Sequence, residues 1–219
     1  MPSKPRKLPA TASVAIPQSG NKLHAPSAAR NVGPIIEAIR PFVPESGQAL
    51  EIASGTGEHI IRYAAEFPAL SWQPTDIAPE RLASIDAWGA EAGVSNLIAA
   101  RHLDASISGW AQGWQGQNLI LFSNLLHLIA EREAETVLAE AAQALSAGGA
   151  FVIYGPFMRG TEFASEGDRS FHESLREQDP EIGYKPLHWV LDRLNAAGLK
   201  AEQTIDMPAS NLLLVARKP

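Results

Sequence analysis

The sequence contains no cysteine, which excludes a disulfide scaffold, a cysteine-ligated metal site and a catalytic thiol. It also contains no apolar run near the ~20 residues of a membrane span. Acidic residues are missing from positions 1–30, which carry five basic residues, whereas the remainder carries 13 basic and 24 acidic residues. An acidic body is a poor surface for nucleic-acid phosphates. We therefore expect neither a nucleic-acid nor a membrane partner, and a cytoplasmic location.

The domain organisation follows from length and composition. The chain has 219 residues, of which 45% are hydrophobic, and this suits one domain with a sizeable core. Residues 1–26 are rich in Pro, Ser, Ala and Lys without apolar periodicity, which predicts a flexible tail; a contact between its basic residues and an anion is the alternative. Residues 27–219 then form the domain, with a polar insertion or lid at about 159–185.

Strand and helix patterns alternate after the tail, which predicts an α/β, Rossmann-like fold with helices on both faces of a mostly parallel sheet. The last two strands, 200–206 and 212–217, are joined by a connection too short for a crossover helix, so they form an antiparallel hairpin. The predicted earlier strands are 48–53, 70–76, 96–104, 118–123 and 150–154, and the principal helices are 79–92, 130–146 and 187–197.

The sharpest motif, Leu50 to His59, lies at a strand-to-helix junction. Gly55 and Gly57 allow a tight turn and a close approach of the backbone to a ligand. The alternative is that they only make the turn. We predict that this junction binds a cofactor through Ala53, Ser54, Gly55, Thr56 and Gly57.

Two carboxylates follow the next predicted strands. Asp76 stands 19 residues beyond Gly57, a spacing at which a carboxylate accepts hydrogen bonds from ribose hydroxyls. Asp104 ends the third strand and is placed to meet an adenine amino group. With Ile77 and Ala105, these residues are predicted to bind the cofactor; the alternative is that both carboxylates cap helices or turns.

The residues near Gly55 and Gly57 indicate which class of nucleotide-containing ligand the junction binds. No Gly-Lys-Ser/Thr follows, and Ile60 stands where a dinucleotide fingerprint needs Gly or Ala. Glu51 suits a ligand with a cationic amino group, directly or through water. S-adenosylmethionine has that ammonium, an adenosine and no phosphate, and S-adenosylhomocysteine (SAH) is its product after methyl transfer.

Taken together, the motifs make residues 27–219 resemble a class I S-adenosylmethionine-dependent methyltransferase. More narrowly, the chain resembles the family that includes methyltransferase-like protein 26 and its bacterial relatives. The resemblance implies a seven-stranded methyltransferase sheet and the cofactor, and it says little about the acceptor. One departure is Ala53, where the class often has its first glycine. The motifs that carry the resemblance are Ser27–Asn31, Leu50–His59, Trp72–Asp76, Ser123–His127, Tyr154–Phe157 and Met207–Asn211.

The candidate catalytic residues are Asn124, His127 and Tyr154, which follow the fourth and fifth strands. His127 is the candidate base, and its alternative is a partly buried structural histidine. Tyr154 walls the acceptor site or packs in the core. Arg30 and Asn31 are expected to close over the cofactor as a lid, with helix capping as the alternative.

We therefore expect a methyltransferase that acts on a small-molecule acceptor. The Asn/Asp-Pro-Pro-aromatic motif of base methylation is absent, and no histidines stand at metal-ligand spacing, so no metal is expected. One rival is a non-catalytic cofactor-binding sensor or partner protein, which a packed His127 beside an intact pocket would favour. The other is a nicotinamide-dependent oxidoreductase, disfavoured by Ile60 and the terminal hairpin. The oligomeric state is left open.

Overall fold

The computed structural model describes residues 8–9 and 12–219, and all the elements below lie in that part of the chain. The helices are α1 Pro26–Ile39, α2 Glu58–Glu66, α3 Pro79–Ala92, α4 Glu131–Ala144, α5 Glu166–Gln178 and α6 Leu187–Ala196. The strands are β1 Ile16–Pro17, β2 Leu23–His24, β3 Gly47–Glu51, β4 Leu70–Asp76, β5 Arg101–His102, β6 Gln117–Ser123, β7 Leu145–Gly155, β8 Lys200–Asp206 and β9 Leu212–Arg217.

Among the described strands, seven form one sheet in the order β5-β4-β3-β6-β7-β9-β8. The first five strands in this order, from β5 to β7, are parallel to one another, whereas β9 is antiparallel to both β7 and β8. This arrangement confirms the predicted fold class, including the C-terminal hairpin. The carboxyl ends of the parallel strands therefore share one edge, where ligands of open α/β sheets bind.

Apolar residues cover both faces of the central strands, which is why these strands read as continuous hydrophobic runs. On β6, Ile120 and Phe122 join the core formed with α4 and α6. Leu119 and Leu121 point to the opposite face and join the core formed with α1, α2 and α3. The sheet is thus held between two helical layers.

Two predicted strands differ greatly in length from the observed ones, whereas the strands predicted at 48–53 and 118–123 differ by one residue. The expected strand 96–104 is reduced to β5, Arg101–His102. Conversely, β7 begins at Leu145 rather than at residue 150, because Gly148 N donates to Lys218 O and Lys218 N donates to Gly149 O. Pairing with Lys218 extends this strand through Gly148 and Gly149, which follow the predicted helix 130–146.

The N-terminal segment differs from the predicted flexible tail. Residues 12–25, which we call the N-terminal strap, contain the antiparallel pair β1 and β2 and lie on α3. Leu23 N donates to Ser84 Oγ at 2.8 Å, and Trp88 Nε1 donates to Leu23 O at 2.9 Å. These bonds reach residues far along the chain, so local periodicity gives no sign of them. Residues 1–7, 10 and 11, also predicted as tail, lie outside the described residues.

The segment 159–185, predicted as an insertion or lid, contains α5 and a small cluster of its own. Leu175, Ile182 and Tyr184 are buried there. Rings of Phe163 and Phe171 lie about Tyr184, with centroids 6.0 and 6.2 Å from it. The segment therefore packs as a unit beside the carboxyl edge of the sheet.

Candidate functional site

A cavity of about 850 Å³ lies at the carboxyl edge of the parallel strands. Its volume falls in the upper part of the roughly 300–1,000 Å³ range of small-molecule sites. Residues that follow β3, β4, β5 and β6 line it. From the predicted cofactor set these are Ala53, Ser54, Gly55, Thr56, Asp76, Ile77, Asp104, Ala105 and Asn124.

The turn after β3 is tied to β4 at the floor of the cavity. Ser54 N donates to Thr75 O at 2.7 Å, and Thr75 N donates to Ser54 Oγ at 3.2 Å. Gly55 N donates to Asp76 Oδ2 at 2.9 Å. Ala53 has φ +54°, a left-handed conformation that a residue with a side chain adopts at a cost of about 1–2 kcal/mol. The strain lies where the chain turns toward the cavity, as strain at ligand sites commonly does.

Gly57 has a packing role, although it was predicted to bind the cofactor. Its φ is +96°, and an added Cβ would lie 2.9 Å from the Cα of Ile85 in α3. It lies outside the cavity lining. Gly57 thus lets α2 begin close against α3, which sets the position of the turn.

The Asp76 carboxylate holds the local backbone and also faces the cavity. Oδ2 accepts from Gly55 N, and Oδ1 accepts from Ala78 N at 3.0 Å. Burial raises the pKa of Asp76, opposed by the Ala78 hydrogen bond and the Arg81 guanidinium. The two oxygens offer about four acceptor positions, so acceptor capacity remains for a ligand hydroxyl beside the backbone N–H groups. The capping and ligand-binding interpretations are therefore compatible.

The residues predicted to surround the adenosine follow β4 and β5 and line the cavity. Ile77 is 51% exposed and lines the cavity as an open apolar surface. Asp104 Oδ1 accepts from Ser106 N at 3.1 Å. Ala105 is buried, and its carbonyl accepts from Trp110 Nε1 at 3.1 Å. Apolar lining residues beside a carboxylate suit an aromatic base with an amino group.

Glu51 lies beneath the turn, outside the cavity lining. It is buried, and its Oε2 has no hydrogen-bond partner among the described residues. Burial raises the pKa of Glu51 to about 8, and the neighbouring Asp76 charge adds to the increase. Burial therefore favours the protonated form of Glu51. A buried carboxyl with a free oxygen fits the indirect contact with a cation that the sequence suggests.

Asn124 and Tyr154 lie at the ends of neighbouring strands, with Asn124 N donating to Tyr154 O at 2.8 Å. Asn124 has φ +57° and lines the cavity. Tyr154 is 2% exposed and lies outside the lining. Burial raises the pKa of its hydroxyl, against the hydrogen bonds of Asn31 and Asn211. Asn124 is thus placed to contact a ligand, whereas Tyr154 supports the edge from within.

The surroundings of His127 do not favour the predicted role as a base. His127 lies in a 3₁₀ turn, is 4% exposed and does not line the cavity. Its ring contacts those of Phe171 and Tyr184, with centroids 5.8 and 5.9 Å away. Burial lowers its pKa to about 3, and the nearby Lys185 charge adds to this. A buried histidine with that pKa is far from the near-neutral value that suits a general base.

The predicted lid residues Arg30 and Asn31 do not line the cavity. Arg30 is exposed on α1, outside the cavity lining. Asn31 Oδ1 lies 2.7 Å from Nε2 of His59, and His59 does line the cavity. Burial lowers the pKa of His59 to about 4, so it is neutral. Asn31 thus orients a neutral histidine at the cavity wall and does not cover the ligand itself.

Sequence reasoning missed the residues that cover the cavity. Ser13 and Val14 of the strap line it, as do Leu8 and Ala12. Arg81, another lining residue, donates through Nη2 to Ser13 Oγ at 2.6 Å. These partners are 68 positions apart, and no motif marks either of them. Only the tertiary structure brings them together.

The charges around the cavity are mainly negative. Among the described lining residues, Arg81 is the sole Arg or Lys and stands against four carboxylates, Asp76, Glu80, Asp104 and Glu133. Such a lining disfavours a pyrophosphate and favours a cationic ligand. The described residues hold no group of three or more His, Asp or Glu arranged to bind a metal ion. No described helix is long and apolar enough to cross a membrane.

Comparisons with known proteins agree with this architecture. The family described as protein of unknown function (DUF938) matches residues 22–218. An O-methyltransferase family protein from Burkholderia thailandensis superposes with a TM-score of 0.75 at 16% identity, covering 88% of this chain and 58% of that one. The S-adenosylmethionine-dependent methyltransferase SibL gives 0.71 at 17% identity, covering 87% and 55%. An O-methyltransferase family 2 protein from Planctomyces limnophilus in complex with apigenin gives 0.68 at 18% identity, covering 90% and 63%.

At these identities the likeness shows the fold, which is that of the class I methyltransferases, as the resemblance predicted. The chain spans 55–63% of the length of these three structures. The narrower resemblance to the family of methyltransferase-like protein 26 stays a prediction.

Proposed function

The chain belongs to the DUF938 family of proteins of unknown function. We propose that it is an S-adenosylmethionine-dependent methyltransferase with a small-molecule acceptor. The observation that carries the proposal is the position of Asp76. Its carboxylate closes the glycine turn and retains acceptor capacity toward a cavity with mainly acidic lining. The SibL and apigenin-bound structures support this cofactor and a small organic acceptor, respectively.

The residues present fit the cofactor. Asp76 would accept from the ribose hydroxyls, and Ile77, Asp104 and Ala105 would surround the adenine. The free oxygen of Glu51, beneath the turn, would stabilise the ammonium group through water. The cofactor supplies an electrophilic methyl group on its sulfonium. Arg81 at the mouth offers little to a pyrophosphate, because it is already bonded to Ser13 and faces Asp76.

The chain's own contribution to catalysis is positioning. Asn124 would orient the acceptor or cofactor at the end of β6, and the strap residues Ser13 and Val14 would exclude water from above. Holding two reactants in line supplies a large part of a rate enhancement without a base. The buried His127 takes no proton in this scheme. The nucleophilic group of the acceptor therefore loses any proton it carries to water and not to His127.

A ligand-binding measurement tests the cofactor. SAH and S-adenosylmethionine should bind in calorimetry and NAD should not, and SAH at ~100 times its dissociation constant should add about 2.7 kcal/mol to the free energy of unfolding. Asp76→Asn should weaken SAH binding roughly 10- to 100-fold, because it removes a charged acceptor. Asp86→Asn is the matched control, since its carboxylate also accepts from a backbone N–H, that of Ala100, away from the cavity. Binding of NAD alone would remove the proposal. Equal SAH affinity in a folded Asp76→Asn variant would show that Asp76 only holds the backbone and does not contact the cofactor.

A second candidate function is a non-catalytic binder of the same cofactor. The burial of His127 beside an intact cavity favours it. Incubation with a metabolite extract separates the two, because a methyltransferase releases SAH together with a product heavier by one methyl group. Tight cofactor binding without SAH release across such extracts would favour the binder.

A further inference from the structure

The N-terminal strap belongs to the wall of the candidate cofactor cavity. Ser13, Val14 and Ala25 line the cavity from the strap, opposite Gly55 and Thr56 of the turn. The sequence predicted this segment as part of a flexible tail. Because strap residues form part of the cavity wall, we expect the position of the strap to affect how freely a ligand leaves.

The Glu58 carboxylate joins the strap to the glycine turn. Oε1 lies 2.7 Å from His24 Nδ1, and Oε2 accepts from Ala25 N at 2.6 Å. The same Oε2 accepts from Thr56 Oγ1 at 3.0 Å. One side chain in the first turn of α2 thus receives contacts from both sides of the cavity.

A second bridge runs parallel to the first. Ser84 Oγ donates to Thr56 O at 2.8 Å and accepts from Leu23 N at 2.8 Å. Ser84 is fully buried. Thr56 is therefore connected to the strap through its hydroxyl, by Glu58, and through its carbonyl, by Ser84. A movement of the turn is therefore transmitted to the strap through two separate hydrogen-bonded connections.

The outer part of the strap is held on α3, away from the cavity. Lys22 Nζ pairs with Glu91 and lies 4.6 Å from the ring centroid of Trp88. Trp88 in turn donates to the carbonyl of Leu23. Lys22 does not line the cavity. It offers a way to loosen the strap without touching the ligand site.

We propose that Glu58 is a positioning residue that fastens the N-terminal strap onto the glycine turn, and that release of this strap is the step that lets the cofactor product leave. The inference rests on the proposed function. Glu58 touches neither the reacting atoms nor the cavity, since it acts through Thr56 and the strap. Its loss should therefore appear in dissociation rates more than in the fold.

Stopped-flow dissociation of SAH from the full chain tests the proposal. Glu58→Ala should raise the dissociation rate by about tenfold or more, because hydrogen bonds to a charged acceptor are lost and affinity changes of this kind lie in dissociation. Glu58→Gln, which keeps one acceptor oxygen, should be intermediate. Lys22→Ala should also raise the rate. Glu66→Ala is the matched control, as Glu66 lies in the same helix and pairs with Arg40 at 2.6 Å, away from the cavity.

A measurement without ligand separates this inference from the proposed function. Tryptic cleavage after Lys22, followed by mass spectrometry, should accelerate about tenfold in Glu58→Ala and not in Glu66→Ala, because local opening controls such cleavage. Cleavage at the wild-type rate overturns the strap attachment. A faster SAH release in Glu58→Ala but not in Lys22→Ala overturns it too, since Glu58 would then act on the turn alone. No SAH binding by the wild type contradicts the proposed function, while the cleavage result still decides the attachment.

Discussion

At the scale of single residues, burial determines the protonation state of two histidines near the candidate site. His59 lines the cavity but is held neutral, with Asn31 at its Nε2. His127 lies among rings of the segment around α5, and burial lowers its pKa to about 3. Because desolvation disfavours the imidazolium, neither side chain gains a proton near neutral pH. The two histidines therefore support the site as neutral groups.

His127→Phe should keep the fold and leave SAH affinity and turnover within about threefold, because the ring contacts are retained and no proton is transferred there. Once an acceptor is found, the wild type and the His127→Phe variant should have pH–rate profiles of the same shape. Steady-state kinetics across pH 5–9 measure the turnover and its pH dependence. A loss of turnover of roughly 100-fold or more, with SAH affinity intact, would restore His127 as the base.

At the scale of elements, the connection from β3 to α2 uses its glycines for different purposes. Gly55 faces the cavity, and its N–H holds Asp76. Gly57 faces α3, where an added Cβ would meet the backbone of Ile85. The turn thus combines a ligand-facing position and a packing position two residues apart. A glycine pattern alone does not distinguish them.

Gly57→Ala should destabilise the protein in two ways, by left-handed strain of about 1–2 kcal/mol and by a clash that costs roughly 1–3 kcal/mol more. Gly93→Ala is the matched control, because Gly93 also has a positive φ, +63°, but has open space around it. Urea unfolding with an unchanged m-value gives the comparison. Equal losses in the two variants would show that the contact with Ile85 yields without cost.

At the scale of the whole molecule, buried titratable groups make the stability depend on pH. The pKa of Glu51 is raised to about 8. Its titration therefore contributes to the free energy of unfolding fully below about pH 4.5, and this contribution is lost as pH rises through about 8. His59 and His127 have lowered pKa values of about 4 and 3. The stabilisation that they contribute is therefore complete above about pH 6.5 and is lost as pH falls through those pKa values. The two trends oppose each other in mildly acidic solution.

Glu51→Gln isolates the carboxyl contribution, because it replaces the protonated acid with a neutral group of similar shape. The free energy of unfolding of the variant, minus that of the wild type, should increase by roughly 3–5 kcal/mol between pH 4.5 and 8. Urea unfolding at several pH values measures this difference. A difference that stays constant with pH would mean that Glu51 ionises normally in the folded protein.

Much of the fold follows from the sequence alone, because apolar periodicity and short connections are local properties. Helix α3 and strands β4, β8 and β9 have the predicted bounds, and the short turn between β8 and β9 predicts their antiparallel pairing. The spacing from Gly57 to Asp76 likewise predicts a carboxylate beside the turn, and Gly55 N bonds to Asp76. These features depend on neighbours in sequence or on adjacent strands.

Only the tertiary structure decided the rest, because burial and long-range contact have no local signal. It placed His127 among rings from a distant segment, outside the cavity. It folded the strap, which composition assigns to a tail, onto Ser84 and Glu58, more than 30 positions away. A sequence pattern reports which residues are available for chemistry. The packing of distant segments determines which of them face the ligand, which are desolvated and which hold the site closed.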